Sequence, residues 1–516
     1  MFNILKPVQT LLLAFSCFSS VLAATCDTSN TFTPATTDIW QGWGGNHANT
    51  RFNNAPENPL DSSILGDLSL KWAYGFADVR SVIGNPALQG NRIFIGDENG
   101  KVYALDRDTG CEDWIFTAGN GVRTMPLIER VGERWLVFFG DRSANVYALD
   151  ATTGRQVWKT KVEDHQAAIL TGAPQFVRLA DDPVSERLIV PVSSSEEGLG
   201  AVPVYECCSF QGSVLTLDAS NGMIVWQTYA IQAPVRETGE GRFGPSGAAI
   251  WSAPTIDREL GQLYVTTGDA YSAPADSATD ALLALDLVSG DILWSHQGTA
   301  DDIWTVMCMT PNASDDCGPD QDYGSPAMIV STGTDNMLVA GQKSGIVRGF
   351  DRRSGEVLWE TPLVENTTEF GGKIVWGGAA DSNNSYWGMG NNVIAAVRHR
   401  DGAVQWSRNI PPITGMETHP GLEGPLTLSH DVLFSGSWDG VLRALSPATG
   451  ETLWEYNTVR QFDTVNDVPA EGGSMGAVGP VVEDGLVLVT TGYIGVKNGD
   501  TGNTLLVFEV NNNPGR

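Results

Sequence analysis

The chain has 516 residues, 58 of them Gly, with 42% hydrophobic and only 18% charged residues, which suits a large core with many turns. Its 61 acidic against 31 basic residues leave a formal charge of −30. Such a surface repels phosphate backbones and anionic bilayers, which makes nucleic acid and anionic membrane surfaces poor candidates as partners, and no stretch beyond the N-terminus is apolar for long enough to span a membrane.

Residues 1–24 carry Lys6, an apolar run over 11–18 and then Val21-Leu22-Ala23-Ala24. This reads as a secretory signal peptide cleaved after Ala23 or Ala24, and predicts a secreted, extracellular protein, or a periplasmic one in a bacterium. Cys17 leaves with that segment, and Cys26, Cys111, Cys207, Cys208, Cys308 and Cys317 remain. An even number in an exported chain predicts disulfides, with Cys308–Cys317 closing a short loop and Cys26–Cys111 pinning the tail. Sequons at Asn312, Asn366 and Asn383 agree with export and mark a candidate glycoprotein. Residues 25–60, rich in Thr, Asn and Pro, are expected to wrap the outside of the fold.

The next part of the chain is ruled by one repeat. In Val146-Tyr-Ala-Leu-Asp150-Ala-Thr-Thr-Gly154-Arg-Gln-Val-Trp158, a half-buried strand ends at an Asp whose side chain can hold a turn. Gly then supplies a positive φ, and Trp brings a large apolar face on the returning strand. The pattern recurs at Asp106/Gly110/Trp114, Asp218/Gly222/Trp226, Asp286/Gly290/Trp294 and Asp351/Gly355/Trp359. Two copies are degraded, with Arg398 before Gly402/Trp406 and Ser446 before Gly450/Trp454. Lys71-Trp72 looks like the second half of another copy, and residues 505–510 look like a first half without its Trp.

The series Trp72, Trp114, Trp158, Trp226, Trp294, Trp359, Trp406 and Trp454 has two kinds of interval. Those at either end match the period of a four-stranded propeller blade, about 40–50 residues. The three intervals between Trp158 and Trp359 exceed that period, so each carries an insertion of roughly 20 residues, where repeat proteins place binding loops. Pairing the two orphan halves closes the ring. The reading is an all-β, eight-bladed propeller forming one domain over 25–516, with a seven-bladed ring and a stray Trp as the alternative. No Cys-x-x-Cys-His supplies a covalent haem, and no Gly-rich turn opens a helix for NAD or FAD.

The Ala-Leu-Asp-x-x-x-Gly-x-x-x-Trp unit resembles the tryptophan-docking motif of the pyrroloquinoline-quinone (PQQ) alcohol dehydrogenases, which are eight-bladed propellers. Cofactor-free scaffolds use similar blades, so the insertions decide. Gly42-Trp43-Gly44 with Asn49-Thr50-Arg51-Phe52, Gly172-Ala173-Pro174, Cys207-Cys208-Ser209-Phe210, Gly244-Pro245-Ser246-Gly247 and Gly341-Gln342-Lys343-Ser344-Gly345 are similar to the polyvinyl-alcohol dehydrogenase branch. The resemblance implies oxidation of alcohols, secondary and polymeric ones included, by hydride transfer to PQQ beside Ca2+ or a similar hard divalent ion. Without a built-in haem, electrons must leave to a separate acceptor.

By the same resemblance, Trp251 stacks on one face of the cofactor, and Cys207 and Cys208, bonded to each other, lie on the other. Lys343 donates to the quinone oxygens and stabilises charge growing there; Thr171 touches the cofactor, and Arg123 clamps a carboxylate. Glu197, with Glu196 as the alternative, and Asp269, where the family has an asparagine, supply oxygen ligands for the metal. Asp280 is the expected base that takes the hydroxyl proton, with Asp276 as the alternative. The competing readings are a non-catalytic propeller that binds proteins or glycans, and a PQQ sugar dehydrogenase.

Overall fold

A computed structural model describes residues 31–510, apart from 36–39, 181, 240, 312, 334, 366–371, 417–420 and 495–498. The signal peptide, Cys26, Asn312 and Asn366 lie outside the described residues, while Asn383 sits exposed.

Among the described residues, eight antiparallel sheets of four strands each follow one another along the chain, and two of them gain one extra short strand. The first complete blade is Ala87–Gln89, Arg92–Gly96, Lys101–Asp106 and Glu112–Thr117. The last is composite: Leu68–Gly75 near the N-terminus pairs antiparallel with Thr504–Val510, which continues into Leu486–Thr490 and Val481–Glu483. The two orphan halves therefore close the ring as expected, and closure removes the free sheet edges.

The repeat works across blades as well as within them. Asp150 Oδ1 accepts from the Thr153 amide and hydroxyl, which fixes the turn, and Gly154 adopts φ +68°. A Cβ on Gly154 would stand 2.6 Å from the ring of Trp114 in the preceding blade. The Trp114 indole in turn donates to the Ala151 carbonyl at 3.0 Å. Each Trp thus docks on the glycine turn of the next copy, as Trp158 does on Gly222 and Trp359 on Gly402. Arg398 breaks the Asp rule without breaking the turn. Asp401 accepts from its guanidinium at 2.9 Å and from the Ala403 amide. Trp454 meets the C-terminal strand, packing edge-on against Phe508 at 6.0 Å.

The described part of the N-terminal tail does not wrap the outside. The fourth strands, which carry the docking tryptophans, are the solvent-facing ones, as in Glu112–Thr117 and Thr452–Asn457, so the first strands form the inner edge. Residues 47–53 lie across that edge. The carbonyls of His47, Ala48, Thr50 and Arg51 accept from the amides of Ile256, Ile329, Ala380 and Leu428, one on the first strand of each of four successive blades. Phe52–Asn53 then adds a parallel strand to Thr427–Ser429. Arg51 is fully buried, donating to the carbonyls of Trp43, Leu426 and Pro480 and to Thr427 Oγ1. The tail is polar because it satisfies inward-facing backbone groups.

Candidate active site

The insertions converge on one cavity of about 240 Å³. Of the residues expected there, Arg123, Thr171, Glu197, Trp251, Asp269 and Lys343 all line it. They come from separate stretches of the chain and are joined only by the ring. Trp251 sits at the centre of a polar and aromatic web. Its indole donates to Asp322 Oδ2 at 3.2 Å, the Lys343 ammonium lies 5.5 Å from its ring centroid, and Trp376 meets it edge-on at 5.2 Å. A Cβ on Gly324 would come within 2.3 Å of the Trp251 ring, so only glycine lets that ring lie where it does.

Lys343 is paired with Asp320 at 2.5 Å and Asp322 at 2.7 Å, and Lys373 reaches Asp320 at 2.6 Å. Burial acts to lower the Lys343 ammonium, but Asp320, Asp322 and Asp269 outweigh it and hold its pKa well above the usual lysine range. Burial pushes the Asp322 carboxyl up to about 6, with Lys343 pulling the other way. Asp269 is raised well above the carboxylate range, first by burial and then by Asp322 and Asp320. Arg123 places its guanidinium 4.9 Å from the Trp376 ring centroid. Among the described residues no carboxylate pairs with it, which leaves a cation at the cavity wall for an anionic ligand.

The geometry bears on three further expectations. Glu196 and Glu197 are adjacent but point to different tasks. Both oxygens of Glu196 hold the loop after the cysteine pair, accepting from the amides of Ser209 and Phe210 and from the Tyr205 hydroxyl, while Glu197 faces the cavity. Cys207 and Cys208 are bonded to each other and share an apolar cluster with Trp251, but do not line the cavity. Asp280 is fully buried and lies beside Asp269 and Asp302. It has no surface on the cavity, and neither does Asp276, whose carboxylate caps a turn through the Ala278 amide.

Asp320, Asp322, Lys373, Trp376, Glu423, Trp438 and Tyr493 also line the cavity, and sequence reasoning missed them. The Trp438 indole donates to Glu423. One signal was present: Asp320-Gln321-Asp322 follows shortly after Cys317, which forms the expected disulfide with Cys308, in a non-repeat insertion just ahead of Lys343.

The residues present fit a flat, polyanionic quinone and a hard cation. An aromatic face, an unpaired guanidinium and buried ammonium groups meet the first. The carboxylates of Glu197 and Asp269, both lining the cavity, meet the second.

Comparison with known proteins agrees. The family model described as glucose/ethanol/alcohol dehydrogenase, beta-propeller domain, matches residues 40–312, the span that contains most of the insertions. A second, described as outer membrane protein assembly factor BamB, matches residues 390–512, where the blades carry no long insertion. A polyvinylalcohol dehydrogenase from Pseudomonas sp. is 34% identical over 92% of this chain and 78% of its own length. One from Sphingopyxis sp. (strain 113P3) is 32% identical over 91% and 76%. The crystal structure of quinohemoprotein alcohol dehydrogenase from Comamonas testosteroni superposes with a TM-score of 0.64 at 17% identity, covering 92% of this chain and 81% of that one; this last likeness concerns the fold alone.

Proposed function

Because the chain belongs to the PQQ-dependent alcohol dehydrogenases, in the polyvinyl-alcohol dehydrogenase-like branch, we propose that it oxidises secondary alcohols, polymeric ones included, to ketones outside the cytoplasm. The observation that carries this reading is the convergence of Trp251, Lys343, Arg123 and the cavity carboxylates from separate stretches onto one site. When bound, PQQ supplies the ortho-quinone that accepts the hydride.

The chain's own residues then have separable tasks. Trp251 offers the flat face on which the cofactor rests, Thr171 contacts it, and Arg123 answers a carboxylate. Lys343, kept protonated by its carboxylate neighbours, presents a cation to developing negative charge. Glu197 and Asp269 would hold a calcium-like ion. The proton of the substrate hydroxyl goes to Asp322, the carboxylate that faces the cavity with one oxygen engaged only by the Trp251 indole. Asp320 is less suited, because Lys343 and Lys373 occupy both its oxygens.

An exposed apolar side chain in the cavity lining supports a polymeric substrate. Met309 lines the cavity yet is 39% exposed, and its 3-10 turn packs on the short helix Glu196–Leu199. A carbon chain bearing hydroxyls can lie against it while one carbinol enters. The signal segment predicts export; among the described residues no helix is long and apolar enough to cross a membrane.

The test is dye-coupled oxidation of 2-propanol and of vinyl-alcohol oligomers by the full chain given PQQ and calcium. We expect turnover that depends on both additions. Asp322→Asn should lower kcat by about 10³-fold or more while PQQ still binds, a size typical of losing a catalytic base. Equal loss in Asp276→Asn with none in Asp322→Asn would move the base elsewhere.

A further inference from the structure

Behind the cavity wall lies a second group of carboxylates that the proposed chemistry does not use. Asp280 is fully buried, and among the described residues neither of its carboxylate oxygens has a hydrogen-bond donor; Asp269 Oδ1 has none either. One oxygen each from Asp269, Asp280 and Asp302 fall within 4.8 Å of one another. Backbone bonds fix these side chains in place. The Asp280 amide donates to the Gly268 carbonyl and the Asp280 carbonyl accepts from Gly298, while Asp302 is oriented by the amides of Asp320 and Gln321.

In the neighbouring trio, Asp269, Asp320 and Asp322, Lys343 pairs with Asp320 and Asp322, and Lys373 with Asp320. No lysine or arginine pairs with Asp269, Asp280 or Asp302 among the described residues. Buried carboxylates that cannot reach water are compensated by a proton or by a cation. Five carboxylates face two ammonium groups across the two trios, so a single divalent ion beside the cofactor does not offset the difference.

We propose that Asp269, Asp280 and Asp302 form a second cation site, distinct from the one at the cofactor and joined to it by the shared Asp269. The donor set selects the ion: three carboxylates without nitrogen or sulfur suit a hard cation such as calcium. The second ion would fix the side chain of Asp269 from behind, and so set how it faces the cavity.

The site does not require PQQ, so its test is separate from that of the proposed function. The full chain is stripped with a chelator, kept free of PQQ, and titrated with calcium by calorimetry, with bound metal counted after dialysis. We expect one tightly bound calcium per chain. Asp280→Asn should weaken it at least tenfold, and Glu197→Gln should leave it unchanged. Asp302→Asn, checked for fold by circular dichroism, provides the same reading if Asp280→Asn does not fold. No calcium uptake by the PQQ-free chain would mean that a shared proton compensates the trio, and would overturn the site. Uptake that survives Asp280→Asn, or that is lost only in Glu197→Gln, would overturn it as well.

Discussion

Glu483 shows how a single buried group can set the response of this protein to pH. It accepts from the Trp40 amide through Oε1, its other oxygen is buried with no partner among the described residues, and burial raises its pKa to about 8. The folded state therefore holds a proton that the unfolded chain releases near its ordinary value of about 4.5. Between those two values the folded state binds more protons, so stability falls as pH rises, by up to about 1.4 kcal/mol per unit, and levels off above pH 8. Thermal melts from pH 5 to pH 8 should show a declining Tm, and Glu483→Gln should flatten the decline. A Tm that rises over that window in wild type would contradict the assignment. The candidate site residues were legible one at a time, because Trp251, Lys343, Asp269 and Glu197 sit in short motifs outside the repeat. Asp322 was not: it belongs to no repeat, and its distinction comes from Trp251 and Lys343, which reach it from other stretches of the chain. The surroundings of Asp280 were illegible for the converse reason. Sequence places it at the head of an inner strand but says nothing of which side of Asp269 it occupies.

At the scale of elements, the docking of Trp on Gly makes a sharp demand. Ala at Gly154 must adopt φ +68° and put its methyl against Trp114. Left-handed backbone costs about 1–2 kcal/mol for a residue with a Cβ, and overpacking adds about 1–3 kcal/mol. Gly154→Ala should therefore lower stability by roughly 2–5 kcal/mol in chemical denaturation, whereas Ala at the unencumbered Gly132, also at positive φ, should carry only the backbone part. Equal effects at the two positions would refute the docking argument. This coupling was readable from spacing because both partners recur in one short unit. The tail was not, since its bonds run to remote blades, as far along the chain as Leu426 and Pro480, and its polar composition imitates a surface loop. Arg51→Met should leave the carbonyl of Leu426 buried without a donor, at about 1–3 kcal/mol, and that of Pro480 with the Thr427 hydroxyl alone. A denaturation midpoint unchanged in that variant would show that the tail is not integral to the ring.

For the whole molecule, the division is between blades that are interchangeable and insertions that are not. The C-terminal span 390–512 matches the model of an outer-membrane assembly factor, yet it still contributes Glu423, Trp438 and Tyr493 to the cavity. The ring brings these to the same wall as Trp251, which no local motif could reveal. The most direct test of the account is equilibrium binding of PQQ to the full chain in calcium, followed by the absorbance of the cofactor and the quenching of tryptophan fluorescence. The account predicts one PQQ per chain, with affinity reduced at least tenfold in Trp251→Ala and in Arg123→Ala while both variants keep the wild-type circular dichroism spectrum. Absence of binding by wild type, or binding indifferent to both substitutions, would contradict it.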